Sequence, residues 1–399
     1  MKIAYFTPLP PQKSGIAIYN AQLLPYLAQL ADLTLFTDQP QETDEALQQQ
    51  FVVRDSHNFA GPLAEGFDVC LYQMGNNIHY HSQIYKMLRR FPGIVTLHDI
   101  NLHSFYGELL MKQGQFAAYT REMAFAYDKT GVDHARQTRF EGSTYDVARF
   151  PLFERIVQGS LGTIVHNNYS KRLVSKNCPQ AVVTHINLHQ VPLTDQLLSQ
   201  AEAKTRLGYQ PDDILLASFG YISPSKHIDV VLQALASLRN QKPIPKVHYA
   251  LVGQPVEGYN VQSLLRQLGL EEIVRLIGYA DESLFQTYVA AVDIGINLRY
   301  PTHGETSSTL LTLMAAAKPA LVSNVDAFAE LPDDICLKIG VGAGEQTQIE
   351  DALSQLITNE AKRQALGQKA FEFVSQTCHP LTVAQAYITF ARHIISSTG

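Results

Sequence analysis

The sequence has few cysteines and no paired cysteine motif. Its four cysteines, Cys70, Cys178, Cys336 and Cys378, are scattered through 399 residues, and none belongs to a CxxC pair. This spacing does not fit a zinc ribbon or a disulfide framework. Together with an N-terminus that starts as a strand and not as a leader, it favours a reduced compartment. We therefore expect a cytoplasmic protein without a metal site.

The chain also lacks an excess of positive charge and a long apolar run. A net charge of −6 and a pI near 6.2 argue against nucleic acid as the main partner. Because no apolar run is long enough to span a bilayer, we expect a soluble chain, with peripheral contact at the inner face of the membrane left open. The length predicts two domains, each large enough for its own core.

Several catalytic signatures are missing as well. The sequence contains no nucleophile elbow, no Walker loop, no GxGxxG fingerprint and no cluster of metal-ligating residues. These absences weigh against hydrolases, NTPases and dehydrogenases.

What the sequence does contain is a regular alternation of short apolar runs with helix-compatible stretches. The predicted strands cover residues 2–7, 32–37, 69–73, 93–97, 162–166 and 182–186, then 214–220, 247–252, 274–277, 292–298 and 320–322. Such alternation is typical of parallel α/β sheets. It predicts two Rossmann-like, doubly wound domains facing a cleft.

The predicted domains are residues 1–195 and residues 196–378. The chain ends in a helix within 379–399, which we expect to pack back on the first domain. A helical insertion at about 104–158 carries many aromatic residues and arginines. Aromatic residues at helical spacing are usually core and arginines usually solvated, and the alternative is a lining for an acceptor pocket or a contact with lipid headgroups.

The most distinctive stretch is residues 301–319, PTHGETSSTLLTLMAAAKP, between two predicted strands. Thr306, Ser307 and Ser308 are good N-cap residues, and a helix that begins there offers free backbone N–H groups to phosphate. Glu305 would repel phosphate unless it faces hydroxyl groups. A nucleotide-sugar has both parts. The alternative is that these residues only cap a helix.

Polar residues also follow the predicted strands of the first half, where ligands of open α/β sheets bind. Asn76 follows one strand, and His98, Asp99 and His103 follow the next. His98 can hydrogen-bond a sugar hydroxyl, and Asp99 can bind an acceptor hydroxyl. The alternative is that His98 only satisfies loop backbone. Gly15, at a helix start, would let a ligand approach closely, or it serves an ordinary turn.

In the second half, Gly220 frees the turn after a strand, and Lys226 comes just before the next helix. Lys226 can reach a phosphate as a point charge, although a lysine in a loop is normally solvated. Gly253 closes the neighbouring strand at the same edge.

The stretches FGYISPSKHIDVVLQAL, LIGYADESLFQTYVAAVDIGINL and GETSSTLLTLMAAAKPALVS resemble the GT-B glycosyltransferases of family 4, the glycogen-synthase-like retaining type. The resemblance extends over essentially the whole length, and it implies that residues 1–195 form the acceptor side and residues 196–378 bind the donor. It implies that the Gly220–Lys226 loop holds the donor diphosphate, that Glu305 holds the donor sugar and that His98 lies at the sugar-transfer centre. The expected donor-binding residues are Gly15, Gly220, Tyr221, Lys226, Gly253, Glu305, Thr306, Ser307, Ser308 and Thr312. The expected catalytic residues are His98, Glu305 and Lys226, and the expected acceptor-binding residues are Asn76, Asp99 and His103.

Two positions depart from the family pattern. Tyr221 stands where the family usually has an arginine, and Thr312 stands where it has a second glutamate near the ribose. Glu305 itself lies one place off the usual register. We therefore expect the phosphate and ribose contacts to be weakened or rebuilt.

The resemblance implies a retaining enzyme without metal or cofactor. It would move a hexose from a nucleotide-diphospho-sugar to a hydroxyl acceptor, saccharide or lipid-linked, in polysaccharide or envelope glycan synthesis. One alternative is a nucleotide-sugar epimerase of the same architecture. The other is a non-catalytic, sugar-nucleotide-binding scaffold.

Overall fold

The computed structural model describes residues 1–141, 146–193, 197–241 and 246–398. The chain divides into two units. The first contains Met1–His189, the short segment His303–Glu305 and the last helix, and the second contains Gln190–Thr302 and Thr306–His379. The predicted domain boundary at 195–196 falls on residues outside the described ranges.

The first unit is a seven-stranded parallel sheet with helices on both faces. Its strands are β1 (Lys2–Phe6), β2 (Asp32–Thr37), β3 (Val52–Asp55), β4 (Val69–Met74), β5 (Ile94–Leu97), β6 (Gly162–Val165) and β7 (Val183–His185). Its helices are α1 (Gly15–Leu27), α2 (Glu45–Gln50), α3 (Gly61–Ala64), α4 (Ile78–Arg90), α5 (His103–Tyr106), α6 (Phe116–Glu141), α7 (Glu154–Gln158), α8 (Asn168–Asn177) and the C-terminal α17 (Pro380–Thr398).

The strand order is β3-β2-β1-β4-β5-β6-β7, so the order reverses between β1 and β4. This doubly wound order follows from strands that are apolar on both faces. In β1, Ala4 and Phe6 enter the core on one face of the sheet, while Ile3 and Tyr5 enter the core on the other. Helix α17 contributes to that second core, where Tyr387 is fully buried.

The second unit is a six-stranded parallel sheet in the order β10-β9-β8-β11-β12-β13. Its strands are β8 (Ile214–Phe219), β9 (Val247–Val252), β10 (Val274–Gly278), β11 (Ile294–Asn297), β12 (Ala320–Ser323) and β13 (Leu337–Ile339). Its helices are α9 (Gln200–Arg206), α10 (Ile228–Gln241), α11 (Val261–Leu268), α12 (Glu282–Ala291), α13 (Ser308–Ala315), α14 (Asp326–Ala329), α15 (Glu345–Thr358) and α16 (Glu360–Thr377).

The predicted fold class is confirmed, since both sheets are parallel and doubly wound. The insertion at 104–158 is mostly helical where it is described. Most of its described aromatic residues lie in the core, as expected of aromatic residues at helical spacing. The buried ones are Phe105, Tyr106, Tyr119, Phe150 and Phe153. Tyr145 lies outside the described residues. Strands β3 and β13, which lie at sheet edges, were not predicted from the sequence.

Candidate functional site

In the second unit, the loop that leaves β8 folds back on itself around Gly220 and Lys226. Gly220 has a φ of +81°, which favours glycine, and its N–H donates to the Val252 carbonyl at 2.9 Å. The Lys226 ammonium donates to the Phe219 carbonyl at the end of β8. A Cβ on Gly220 would lie 3.0 Å from Lys226 Nζ, so this glycine also leaves room for the amine.

The Lys226 amine has an unusually low pKa. Burial and the positive charge of Arg299 lower the pKa of Lys226 to about 7. Arg299 comes just after β11 and is half-buried, and its backbone N–H donates to Ser323 Oγ at 2.8 Å. Two cations at one edge of the sheet favour an anionic ligand. Sequence reasoning missed Arg299, although its place after an apolar strand was a usable signal.

A second glycine makes this loop possible. Gly253, after β9, has a φ of +154°, and a Cβ there would lie 2.1 Å from the Gly220 carbonyl oxygen. No side chain fits at that distance. Tyr221, the residue that departs from the family pattern, is 72% exposed.

His227, next to the lysine, ties three segments of this unit together. It adopts a left-handed backbone with a φ of +50°. Its Nδ1 lies 2.5 Å from Glu345 Oε1, and its Nε2 lies 3.1 Å from the Tyr300 carbonyl oxygen. The Tyr300 N–H in turn donates to the Ser225 carbonyl at 2.7 Å. These contacts fix the backbone that carries Lys226.

Helix α13 begins as the sequence predicted. Ser307 is its N-cap, accepting from the Leu310 N–H at 3.3 Å and donating to Asn297 Oδ1 at 3.0 Å. Ser308 is exposed in the first turn, and Thr306 is half-buried. Thr312 Oγ1 lies 3.0 Å from the Ser308 carbonyl, to which it donates, and 3.3 Å from Gln190 Oε1.

In the first unit, the segment before Glu305 is held by helix α8. The Gly304 carbonyl accepts from Asn167 Nδ2 at 2.9 Å and from Ser170 Oγ at 3.0 Å. Gly304 has a φ of +77°, and a Cβ there would lie 2.7 Å from Ile100 Cγ2. Glu305 is half-buried, and its Oε2 accepts from the His303 N–H at 2.6 Å.

Asp99 lies near this segment. Burial raises the pKa of Asp99 to about 6, the Asn76 N–H that donates to Oδ2 at 3.2 Å opposes the rise, and the charge of Glu305 adds to it. The structure therefore brings Asn76, Asp99 and Glu305 together. The carboxylates of Asp99 and Glu305 can accept hydrogen bonds from sugar hydroxyls.

His98 belongs to a cluster of rings at the carboxyl ends of the strands. Its Nε2 lies 2.7 Å from Gln73 Oε1, and its Nδ1 lies 3.2 Å from His166 Nε2. The Tyr19 ring meets His98 edge-on at 4.9 Å and stacks on His189 at 4.3 Å. For His98 to form the predicted hydrogen bond with a sugar hydroxyl, the hydroxyl must therefore displace either Gln73 or His166 from one of the two ring nitrogens. Gln73, His166 and His189 were not among the predicted site residues, although each lies at or just after the end of a predicted strand.

The prediction that His103 binds an acceptor was wrong. His103 is fully buried, with its Nδ1 2.6 Å from the Phe150 carbonyl and its Nε2 2.7 Å from the Tyr119 hydroxyl. Both ring nitrogens are thus used in the core, and burial lowers the pKa of His103 to about 4.

Gly15 is the first residue of α1, and a Cβ there would meet no described atom within 4 Å. Packing in the described structure therefore does not require a glycine at this position.

Neither a membrane span nor a metal cluster is found in the described part of the chain. No helix there is long and apolar enough to cross a membrane, and no group of three or more His, Cys, Asp or Glu side chains there could hold a metal ion.

Part of the chain is similar to known glycosyltransferases. Residues 199–373 match the family model for glycosyl transferases group 1. An O-antigen biosynthesis glycosyltransferase of Escherichia coli is 29% identical over 135 residues, which are 33% of this chain and 35% of the relative. A D-inositol 3-phosphate glycosyltransferase of Actinosynnema mirum is 28% identical over 181 residues, 43% of this chain and 42% of the relative. The chain thus spans less than half the length of these relatives.

Solved structures cover more of the chain at lower identity. A sucrose-phosphate synthase from Thermosynechococcus elongatus has a TM-score of 0.66 at 16% identity, over 100% of both chains. The Anabaena protein HepE, crystallised with UDP-glucose, has a TM-score of 0.62 at 17% identity, also over 100% of both chains. Residues 199–373 are therefore similar to the glycosyl transferases group 1, and the chain has the GT-B fold.

Proposed function

We propose that this protein is a retaining glycosyltransferase. It moves a hexose from a nucleotide-diphospho-sugar to a hydroxyl acceptor, saccharide or lipid-linked, without a metal ion. The observation that carries the proposal is the loop of Gly220 and Lys226, in which a half-buried amine and Arg299 concentrate positive charge at the carboxyl end of β8.

The donor diphosphate is assigned to this loop. An amine whose pKa is about 7 is only partly protonated at pH 7 and becomes fully protonated when an anion binds beside it, so Lys226 stabilises the leaving diphosphate as negative charge develops. Arg299 supplies a second positive charge, which takes the place of the arginine that Tyr221 replaces. The N-terminus of α13, with Ser308 exposed in its first turn, offers backbone N–H groups to the same ligand.

The donor sugar is assigned to Glu305, and the reacting centre to the edge of the first sheet. The Glu305 carboxylate accepts hydrogen bonds from sugar hydroxyls, while His98 contacts the sugar near its reacting carbon. Asp99 and Asn76 bind the acceptor hydroxyl. No residue serves as a covalent nucleophile in this assignment. The leaving phosphate takes the acceptor proton, which is consistent with retention.

The relatives support this class of substrates. One is named an O-antigen biosynthesis glycosyltransferase and another a D-inositol 3-phosphate glycosyltransferase, and HepE was crystallised with UDP-glucose. We propose a role in polysaccharide or envelope glycan synthesis, in the cytoplasm or at the inner face of the membrane.

Thermal unfolding with a panel of UDP-, GDP-, ADP- and dTDP-sugars tests the proposal. A donor at 100 times its Kd stabilises the fold by about 2.7 kcal/mol. We expect one donor to stabilise the wild type, Lys226→Ala to abolish the effect, and Lys369→Ala to keep it, because Lys369 is an exposed lysine that pairs with Asp334. If no nucleotide-sugar stabilises the wild type, the donor assignment is wrong.

A further inference from the structure

The ring cluster around His98 restricts where its protons can lie. The chain of contacts runs from the Ile186 carbonyl to His166 Nδ1 at 2.9 Å, from His166 Nε2 to His98 Nδ1 at 3.2 Å, and from His98 Nε2 to the Gln73 amide at 2.7 Å. Each contact is a hydrogen bond only if one of its two atoms carries a proton.

The first contact fixes His166. A carbonyl oxygen only accepts, so His166 Nδ1 must donate to Ile186. Burial lowers the pKa of His166 to about 4, and burial together with the charges of His166, His81 and His189 lowers the pKa of His98 well below its usual value. Both rings are therefore neutral at pH 7 and carry one proton each. A neutral His166 that donates from Nδ1 presents a lone pair at Nε2.

The lone pair of His166 then determines the state of His98. If His98 carried its proton on Nε2, two lone pairs would face each other across 3.2 Å. We propose that His166 is a positioning residue that holds His98 in the tautomer protonated at Nδ1, with the Gln73 amide donating to His98 Nε2.

This assignment requires the Gln73 amide nitrogen, not its oxygen, to face His98. The oxygen and nitrogen of an amide are distinguished only by their partners. On its other side the Gln73 amide lies 3.3 Å from Thr96 Oγ1. A hydroxyl can either donate or accept, so this partner is satisfied in both orientations.

The inference rests on the proposed function in one respect, namely that His98 contacts the donor sugar. In the assigned tautomer, His98 Nε2 is an acceptor. A sugar hydroxyl that displaces Gln73 must therefore donate a hydrogen bond to His98 Nε2 and cannot accept one from it. The other groups that face His98 are Tyr19 from α1, His81 from α4, His189 after β7 and the adjacent Asp99.

Long-range ¹H–¹⁵N correlation spectra of the full chain with ¹⁵N-labelled histidine test the assignment. His98→Gln identifies the His98 signals by their loss. We expect a protonated Nδ1 and an unprotonated Nε2 for His98 at pH 7.5. His166→Phe removes the acceptor and should shift His98 toward the other tautomer, whereas His166→Gln places an amide oxygen near the same point and should restore it. His189→Gln, which has no bond to His98, is the matched control.

Turnover of the donor gives a second readout. We expect kcat to fall about tenfold in His166→Phe with the donor KM unchanged, and to recover in His166→Gln. A wild-type His98 that is protonated at Nε2, or at both nitrogens, would overturn the inference, as would an unchanged tautomer in folded His166→Phe. If the spectra agree but no donor is turned over, the proposed function fails and the tautomer assignment stands.

Discussion

The carbonyl oxygen of Gly220 lies against the Cα of Gly253, so close that a Cβ on Gly253 would stand 2.1 Å from it. The two loops that follow β8 and β9 therefore depend on one position without a side chain. This contact places the carboxyl end of β8, and with it the Lys226 amine.

Gly253→Ala tests this contact. We expect the Gly220 loop to be displaced, the free energy of unfolding to fall by about 1–3 kcal/mol, and nucleotide-sugar binding to be lost. Gly258→Ala is the matched control, because Gly258 also has a positive φ, of +81°, but a Cβ there would meet no described atom within 4 Å. Equal loss of donor binding in both variants, measured by calorimetry, would contradict the role of the contact.

The Lys226 amine predicts a pH dependence of donor binding. Its pKa is about 7 in the free protein, and a bound diphosphate raises that pKa. Above pH 7, binding must therefore take up a proton, and affinity should fall by up to about tenfold per pH unit. Calorimetry at pH 8.5 in two buffers of different ionisation enthalpy measures this uptake. In Lys226→Arg the side chain stays charged, so this variant should bind the donor without taking up a proton. Proton uptake that persists in this variant would assign the proton to another group.

The bond from Ser170 to Gly304 predicts an effect on Glu305. Ser170→Ala removes one of the two donors to the Gly304 carbonyl without removing the Asn167 cap of α8. We expect stability to fall by about 1 kcal/mol and the donor KM to rise several-fold, because Glu305 is held less firmly. Ser175→Ala, on the exposed side of the same helix, should change neither. An unchanged donor KM in Ser170→Ala would show that the hydrogen bond from Ser170 to Gly304 does not affect donor binding through Glu305.

Replacing Asp99 should have opposite effects on stability and activity. The folded protein raises its pKa to about 6, so the ionised carboxylate costs stability above pH 6, and this cost disappears as the pH falls toward 4. Asp99→Asn should therefore raise the free energy of unfolding at pH 7.5 by about 1–2 kcal/mol, discounted because the side chain is partly exposed, and should lower the rate of transfer. Denaturant unfolding at pH 7.5 and pH 4.5 checks the sign. A stability difference that grows as the pH falls would contradict it.

Much of the fold could be predicted from local sequence. Strand β9 begins and ends where its apolar pattern predicted, because turn residues bound it. Ser307 was among the predicted N-cap residues. Strands β3 and β13 lie at sheet edges, where three or four residues with partly exposed side chains give no apolar run.

The site was less predictable, because its side chains meet only in three dimensions. His103 follows a strand just as His98 does, yet a turn of helix carries it into the core beside Tyr119. His166 and Arg299 each come at or after the end of a predicted strand, but only the structure shows that His166 contacts His98 and that the Arg299 charge acts on Lys226. Spacing along the chain contains no information about these pairings.

The central claim, that this protein transfers a sugar from a nucleotide donor, is tested most directly by product analysis. The wild type and Lys226→Ala are incubated with each nucleotide-sugar of the panel, with and without hydroxyl acceptors, and the released nucleoside diphosphate and the sugar products are identified. We expect one donor to release its nucleoside diphosphate slowly alone and faster with an acceptor, to give a glycoside of the same anomeric configuration as the donor, and to be inert with Lys226→Ala. A donor that binds but is never cleaved would contradict the claim and indicate a binding scaffold, and free sugar without any glycoside would indicate an epimerase.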